Sequence, residues 1–272
     1  MSHMLADPYV RRALLIGLVV AVVSGPVGVF TILRGQSFAG HALADTGTVG
    51  GAGAYLLGTN VLAGFVSVNI LAAALMEWAG ARRARSRDVA TGIVLGAALG
   101  ISALLLHLET ATSTSSATNT VLFGSLFAVR ASLVPYVAVS AFAALSLLAV
   151  LYRPLLLSSV SPELAAARGV PVGLVGLGYL VCLAVAVSLS AVSIGAILST
   201  ALLIGPAAAA LSLTRRPGAA IALSALLGVV ATGGGIVLAY ASYYWSAVHH
   251  AWPVSFFVVA IVMAMYLVAR IR

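Results

Sequence analysis

Apolar runs of roughly membrane-crossing length recur along the whole chain, each closed by a short polar or arginine-bearing break. A helix needs about 20 apolar residues to cross a bilayer. By that measure the pattern predicts spans at 13–33, 38–57, 61–78, 89–108, 133–152, 172–189, 194–213, 219–241 and 254–269. The residues 121–129 are apolar but too short to cross, which predicts an interfacial or re-entrant segment. The predicted fold is therefore an all-α polytopic membrane protein of eight to nine transmembrane helices, forming one domain over residues 1–272.

Glycine and proline punctuate these runs. Gly25-Pro26, Gly205-Pro206 and Gly233-Gly234-Gly235 predict a kink or a weak point inside their spans. Gly47 and Gly51 make a small-xxx-small pair, and Gly92, Gly96 and Gly100 form a longer stripe, both of which predict close helix contact. Residues 110–120 are rich in Ser and Thr and predict a loop. Arg153-Pro154 opens a mixed segment. Within it Ser161-Pro162-Glu163 reads as a helix start, with Ser at the cap, Pro in the first position and an acid in the first turn. Gly169 and Pro171 close it, so 160–170 should hold a short helix over 162–168, between two spans.

Composition narrows the class further. Hydrophobic residues make up 62% of the chain and charged residues 7%, against about 25% charged in ordinary soluble domains. All 14 basic residues are arginine. Without lysine there is neither a Walker A phosphate loop nor a Schiff-base nucleophile. The net charge of +8 sits at the ends of apolar runs, so it reads as a topology signal rather than a nucleic-acid surface. Placing the breaks at Arg34, 82–87, 153–168, 215–216 and the C-terminus in the cytoplasm puts 11 of 14 arginines inside, with the N-terminus outside and Arg11-Arg12 against the rule. The single cysteine, Cys182, makes no internal disulfide, and residues 1–10 carry no basic segment of a removable leader.

The candidate chemistry lies in the second span. His41 and Asp45 are four residues apart, on one helix face, where two side chains can grip one cation. An acid within a membrane span is costly without a partner and points to function, although the two could also simply hydrogen-bond each other. Imidazole with carboxylate suits Zn, Mn or Fe rather than thiolate-loving ions. Protonating His41 would remove a ligand. His107 and Glu109, at the predicted outer end of the fourth span, read either as a site where an ion enters or as solvated end residues. His249 and His250 stand within an aromatic belt of Tyr243, Tyr244, Trp245 and Trp252, and Glu77 and Asp88 flank the 82–87 arginine cluster, with which they are expected to pair.

Four stretches carry a resemblance. They are Gly28-Val29-Phe30 through Leu33-Arg34-Gly35-Gln36-Ser37-Phe38-Ala39-Gly40-His41-Ala42-Leu43-Ala44-Asp45; Leu122-Phe123-Gly124-Ser125-Leu126-Phe127; Arg153-Pro154 through Ser161-Pro162-Glu163-Leu164-Ala165-Ala166-Ala167-Arg168-Gly169-Val170-Pro171; and Ser193-Ile194-Gly195-Ala196-Ile197-Leu198 through Ala201-Leu202-Leu203-Ile204-Gly205-Pro206-Ala207-Ala208. In this order the chain resembles the membrane permease subunit of zinc/manganese ABC importers. The resemblance implies a type II ABC-importer-like permease in the inner membrane of a bacterium. It implies pairing as a dimer with the ion pathway at the axis, and no permanently bound cofactor. A separate cytoplasmic ATP-binding subunit would dock on the coupling helix through Pro162, Glu163, Ala166 and Gly169, and an extracellular metal-binding protein would deliver the ion. The family's second span carries a carboxylate and then a histidine; here His41 precedes Asp45. Ser161 stands where an Asp is common.

Three other readings compete. An ion-coupled secondary transporter would use His41 and Asp45 as a relay and need no ATPase. An intramembrane metalloenzyme would need a His-Glu-x-x-His arrangement, which the sequence lacks. An ABC permease for a chelated metal would not require a bare-ion site.

Overall fold

The computed structural model describes residues 7–80, 84–112, 121–124, 126–245 and 252–271. Among them run nine long helices: α1 (Pro8–Leu33), α2 (Ser37–Leu56), α3 (Val61–Gly80), α4 (Ala84–Thr112), α5 (Val134–Val160), α7 (Val172–Ile194), α8 (Ala196–Leu213), α9 (Pro217–Trp245) and α10 (Val254–Ile271). A tenth, α6 (Pro162–Ala167), is one of the short kind the sequence predicts between two spans. All the predicted spans are present as helices. Among the described residues, eight helices are long and apolar enough to cross a membrane, and α2 is not one of them. Its glycines, threonines, His41 and Asp45 dilute its apolar content, and neighbouring helices bury most of it instead.

Several boundaries differ from the expectation. α5 does not stop at Tyr152 but continues through Pro154 to Val160. α4 begins five residues before Val89 and runs to Thr112, into the stretch read as a loop, while 113–120 lie outside the described residues. α8 and α9 run unbroken through Gly205-Pro206 and Gly233–Gly235. Close packing accounts for part of this: Gly205 and Gly235 both press on α10, through Val262 and Val258. The Gly92, Gly96 and Gly100 stripe is also a correction, since a Cβ at any of the three would meet nothing within 4 Å. That face of α4 points away from the bundle.

α7 is the spine. It lies at the centre of the main apolar core, and its hydroxyls bond outward to other helices. Tyr179 Oη donates to Thr31 Oγ1 of α1 at 2.8 Å, and Ser190 shares a hydrogen bond with Ser24 of α1 at 2.9 Å. Asn69 of α3 donates to Ser188 at 2.9 Å. In an apolar surround such bonds orient helices, because the unpaired alternative is costly.

α7 turns back into α8 at one residue, Gly195, whose φ of +91° favours glycine. Residues 121–124 and 126–133, with the short 3₁₀ turns Leu126–Ala128 and Ala131–Leu133, pack over that turn. Gly124 lies against the backbone of Ser193, Ile194 and Gly195, and Gly195 in return against that of Leu122 and Phe123. Val121, Leu126 and Val129 are buried. These residues are therefore folded into the bundle.

Candidate functional site

α2 carries the candidate pair His41 and Asp45, and its start is set by the end of α1. Arg34 N–H bonds Phe30 O, Gly35 N–H bonds Ile32 O and Gln36 N–H bonds Thr31 O. This is the double-bonded terminus that a residue in the left-handed region completes, and Gly35 has φ +64°. α2 then starts at Ser37 without a side-chain cap. Its glycines seat it against α3. A Cβ at Gly47 would lie 2.8 Å from Phe65 Cδ1 and from Asn69 Nδ2, one at Gly51 2.5 Å from Phe65, and Gly50 meets Gly64 backbone to backbone. The predicted Gly47 and Gly51 contact is thus present. Thr48 shares a hydrogen bond with Ser102 of α4 at 2.6 Å, fixing the rotation of α2 from another side.

With those faces buried, one stripe of α2 remains open: Phe38, His41, Asp45 and Val49. His41 Nε2 stands 3.6 Å from Asp45 Oδ2, with side-chain exposures of 52% and 20%. The sequence's same-face expectation is met. Among the described residues no group of three or more His, Cys, Asp or Glu side chains comes together. One chain thus offers two donors, an imidazole and a carboxylate, on a surface otherwise suited to lipid or protein. A carboxylate and an imidazole facing hydrocarbon are costly, so this stripe needs a polar or protein neighbour.

The other candidates sit apart. His107 lies in the last turns of α4 and is exposed; Glu109 belongs to the same helix, and its side chain lies outside the described residues, as do His249 and His250. α6 matches its predicted chemistry: Ser161 Oγ accepts from Leu164 N–H at 3.2 Å, Pro162 opens the helix, and Glu163 occupies the first turn. Its Ala165 is buried against the bundle while Pro162, Glu163, Ala166 and Gly169 are exposed. The side chains of the 82–87 arginine cluster lie outside the described residues. Their expected pairing with Glu77 and Asp88 therefore lies outside the described residues; Glu77 Oε1 comes 3.4 Å, and Arg34 Nη2 3.7 Å, from where a Cβ on Gly176 of α7 would stand.

The family model for the ABC 3 transport family matches residues 6–271. The chain belongs to that family. Among relatives, the manganese transport system membrane protein MntC of Listeria innocua is 32% identical over 233 residues, covering 85% of this chain and 82% of that protein. The high-affinity zinc uptake system membrane protein ZnuB of Haemophilus influenzae is 27% identical, covering 83% and 86%. Among solved structures, a chain of PsaBC from Streptococcus pneumoniae in complex with Fab superposes with a TM-score of 0.84 at 26% identity, over 98% of this chain and 93% of that one. The resemblance carried by four motifs thus extends over nearly the whole chain. Sequence reasoning missed one group near the site. By its place in the sequence Arg34 marks the end of a span, yet its guanidinium is partly buried between α5 and α7.

Proposed function

We propose that this chain is the permease subunit of an ATP-driven importer of a divalent transition metal ion, in the inner membrane of a bacterium. Family membership over residues 6–271 supports the transport class, and the named activities of the relatives put manganese and zinc before iron. The observation that carries the site is the His41 and Asp45 pair on the one open stripe of an otherwise buried helix.

Two donors fall short of the four that a tetrahedral ion takes. A second copy related by a twofold axis would present the same pair from the opposite side and bring the count to four. The mixed imidazole and carboxylate set binds transition metals without the grip of thiolates, as release requires. The exposed face of α6, with Pro162, Glu163, Ala166 and Gly169, would receive a cytoplasmic ATP-binding subunit. ATP hydrolysis belongs to that partner, since this chain lacks a phosphate loop. An extracellular metal-binding protein would deliver the ion past His107 and Glu109. Closure of the ATP-binding subunits on α6 would then reshape the pathway around His41 and Asp45.

The test is uptake of Zn, Mn and Fe into proteoliposomes holding this chain and its cognate ATP-binding subunit. The expected result is ATP-dependent uptake that His41→Ala and Asp45→Ala abolish while the ATP-binding subunit still co-purifies. Uptake that ignores ATP and follows a proton gradient would replace the importer with a secondary transporter.

A further inference from the structure

The turn joining α1 to α2 is tied sideways to the helix that carries α6. Arg34 Nη1 donates to Ser158 Oγ of α5 at 3.0 Å. Ser158 lies three residues before Ser161, the residue that caps α6. Ser158 is itself buried, and its hydroxyl donates to Leu155 O at 3.1 Å. The Arg34 guanidinium also lies over the Tyr179 ring, 5.3 Å from its centroid. Tyr179 Oη donates to Thr31 Oγ1, and Thr31 O accepts from Gln36 N–H, the residue just before α2. The contacts thus run from α5 through Arg34 and Tyr179 back to Gln36 at the start of α2, five residues before His41.

We propose that Arg34 is the positioning residue through which movement of α6 reaches the helix bearing His41 and Asp45. This rests on the importer reading given above. An arginine that only marks topology extends its charge toward the headgroups. Arg34 turns inward instead, onto an aromatic face and a buried hydroxyl. Its planar fork holds one orientation against the ring while donating along its edge, which a flexible ammonium does not reproduce. Beside it lies a cavity of about 220 Å³ bordered by Gln36, Phe38, Glu77, Asp88 and Thr91. That space lets the turn shift without a clash. A displacement of the α5 end would therefore pull on the α1–α2 turn rather than being absorbed by intervening packing.

The test uses the complex of the chain with its ATP-binding subunit, in two readouts. In proteoliposomes, Arg34→Lys and Ser158→Ala are each expected to lower the number of ions moved per ATP hydrolysed at least fivefold, with metal binding unchanged. The double variant is expected to fall no further, as for two parts of one link. In nanodiscs, Ser158→Ala is expected to raise amide hydrogen exchange over residues 36–42 at least threefold, a distance effect that a local fault in α5 does not produce. Unchanged ions per ATP in both variants, or exchange changes confined to α5 and α6, would overturn the link. Should the wild type move no ion with ATP, the importer reading fails, and the exchange result alone decides the link.

Discussion

Gly124 and Gly195 meet backbone to backbone, one in the short apolar stretch before α5 and the other at the turn from α7 into α8. Both have positive φ, +72° and +91°. A methyl group at either place collides with the main chain of the other segment, so neither strain nor contact relaxes by moving a side chain. Gly195→Ala is expected to destabilise the protein by more than about 2 kcal/mol, combining backbone strain with overpacking. Gly96→Ala serves as its control. It meets nothing within 4 Å, and it should be neutral or stabilising by up to ~1 kcal/mol through helix propensity. Thermal unfolding in detergent, followed by size-exclusion fluorescence, separates the two outcomes.

The 3.6 Å pair of His41 and Asp45 uses two positions on one face, so the order of the two residue types should matter less than their spacing. Each single swap, His41→Asp or Asp45→His, leaves a like pair and should lower metal uptake at least tenfold. The double swap restores one imidazole and one carboxylate and should recover most of the uptake. If the double swap stays inactive while the protein folds, the two positions are not equivalent ligands.

The cap of α6 gives a sharper test of docking. Ser161→Ala removes the hydroxyl that accepts from Leu164 N–H and should loosen α6 by about 1 kcal/mol. Ser161→Asp keeps an acceptor at the cap and should preserve it. Hydrogen exchange over residues 162–168 should rise in the first variant and not in the second. Binding of the ATP-binding subunit, measured by co-purification, should weaken in parallel.

Ser188 accepts the Asn69 amide inside the apolar core, and Asn69 is fully buried. Ser188→Ala should cost about 1–3 kcal/mol, because it leaves a buried donor unsatisfied. Ser212→Ala removes only a hydroxyl that bonds the preceding turn at Ala209 O, and should change stability little. Chemical denaturation in mixed micelles gives both values on one scale.

The sequence by itself determined the spans, the short helix and the same-face pair. Each of these is a local property. Twenty apolar residues must bury their backbone bonds in a helix, Ser-Pro-Glu opens a helix wherever it stands, and residues four apart share a face whatever surrounds them. Helix ends were less legible. Pro154 reads as a boundary, yet α5 runs on to Val160. Tertiary structure decided which faces are used. Glycine stripes look alike in sequence, but Gly47 and Gly51 meet Phe65 while Gly92, Gly96 and Gly100 meet nothing, because close approach depends on a neighbour placed by the fold. Arginines at span ends look alike as well. Arg34 turns onto Tyr179 and Ser158, residues more than a hundred positions away, and only the packing of α1, α5 and α7 brings them within reach.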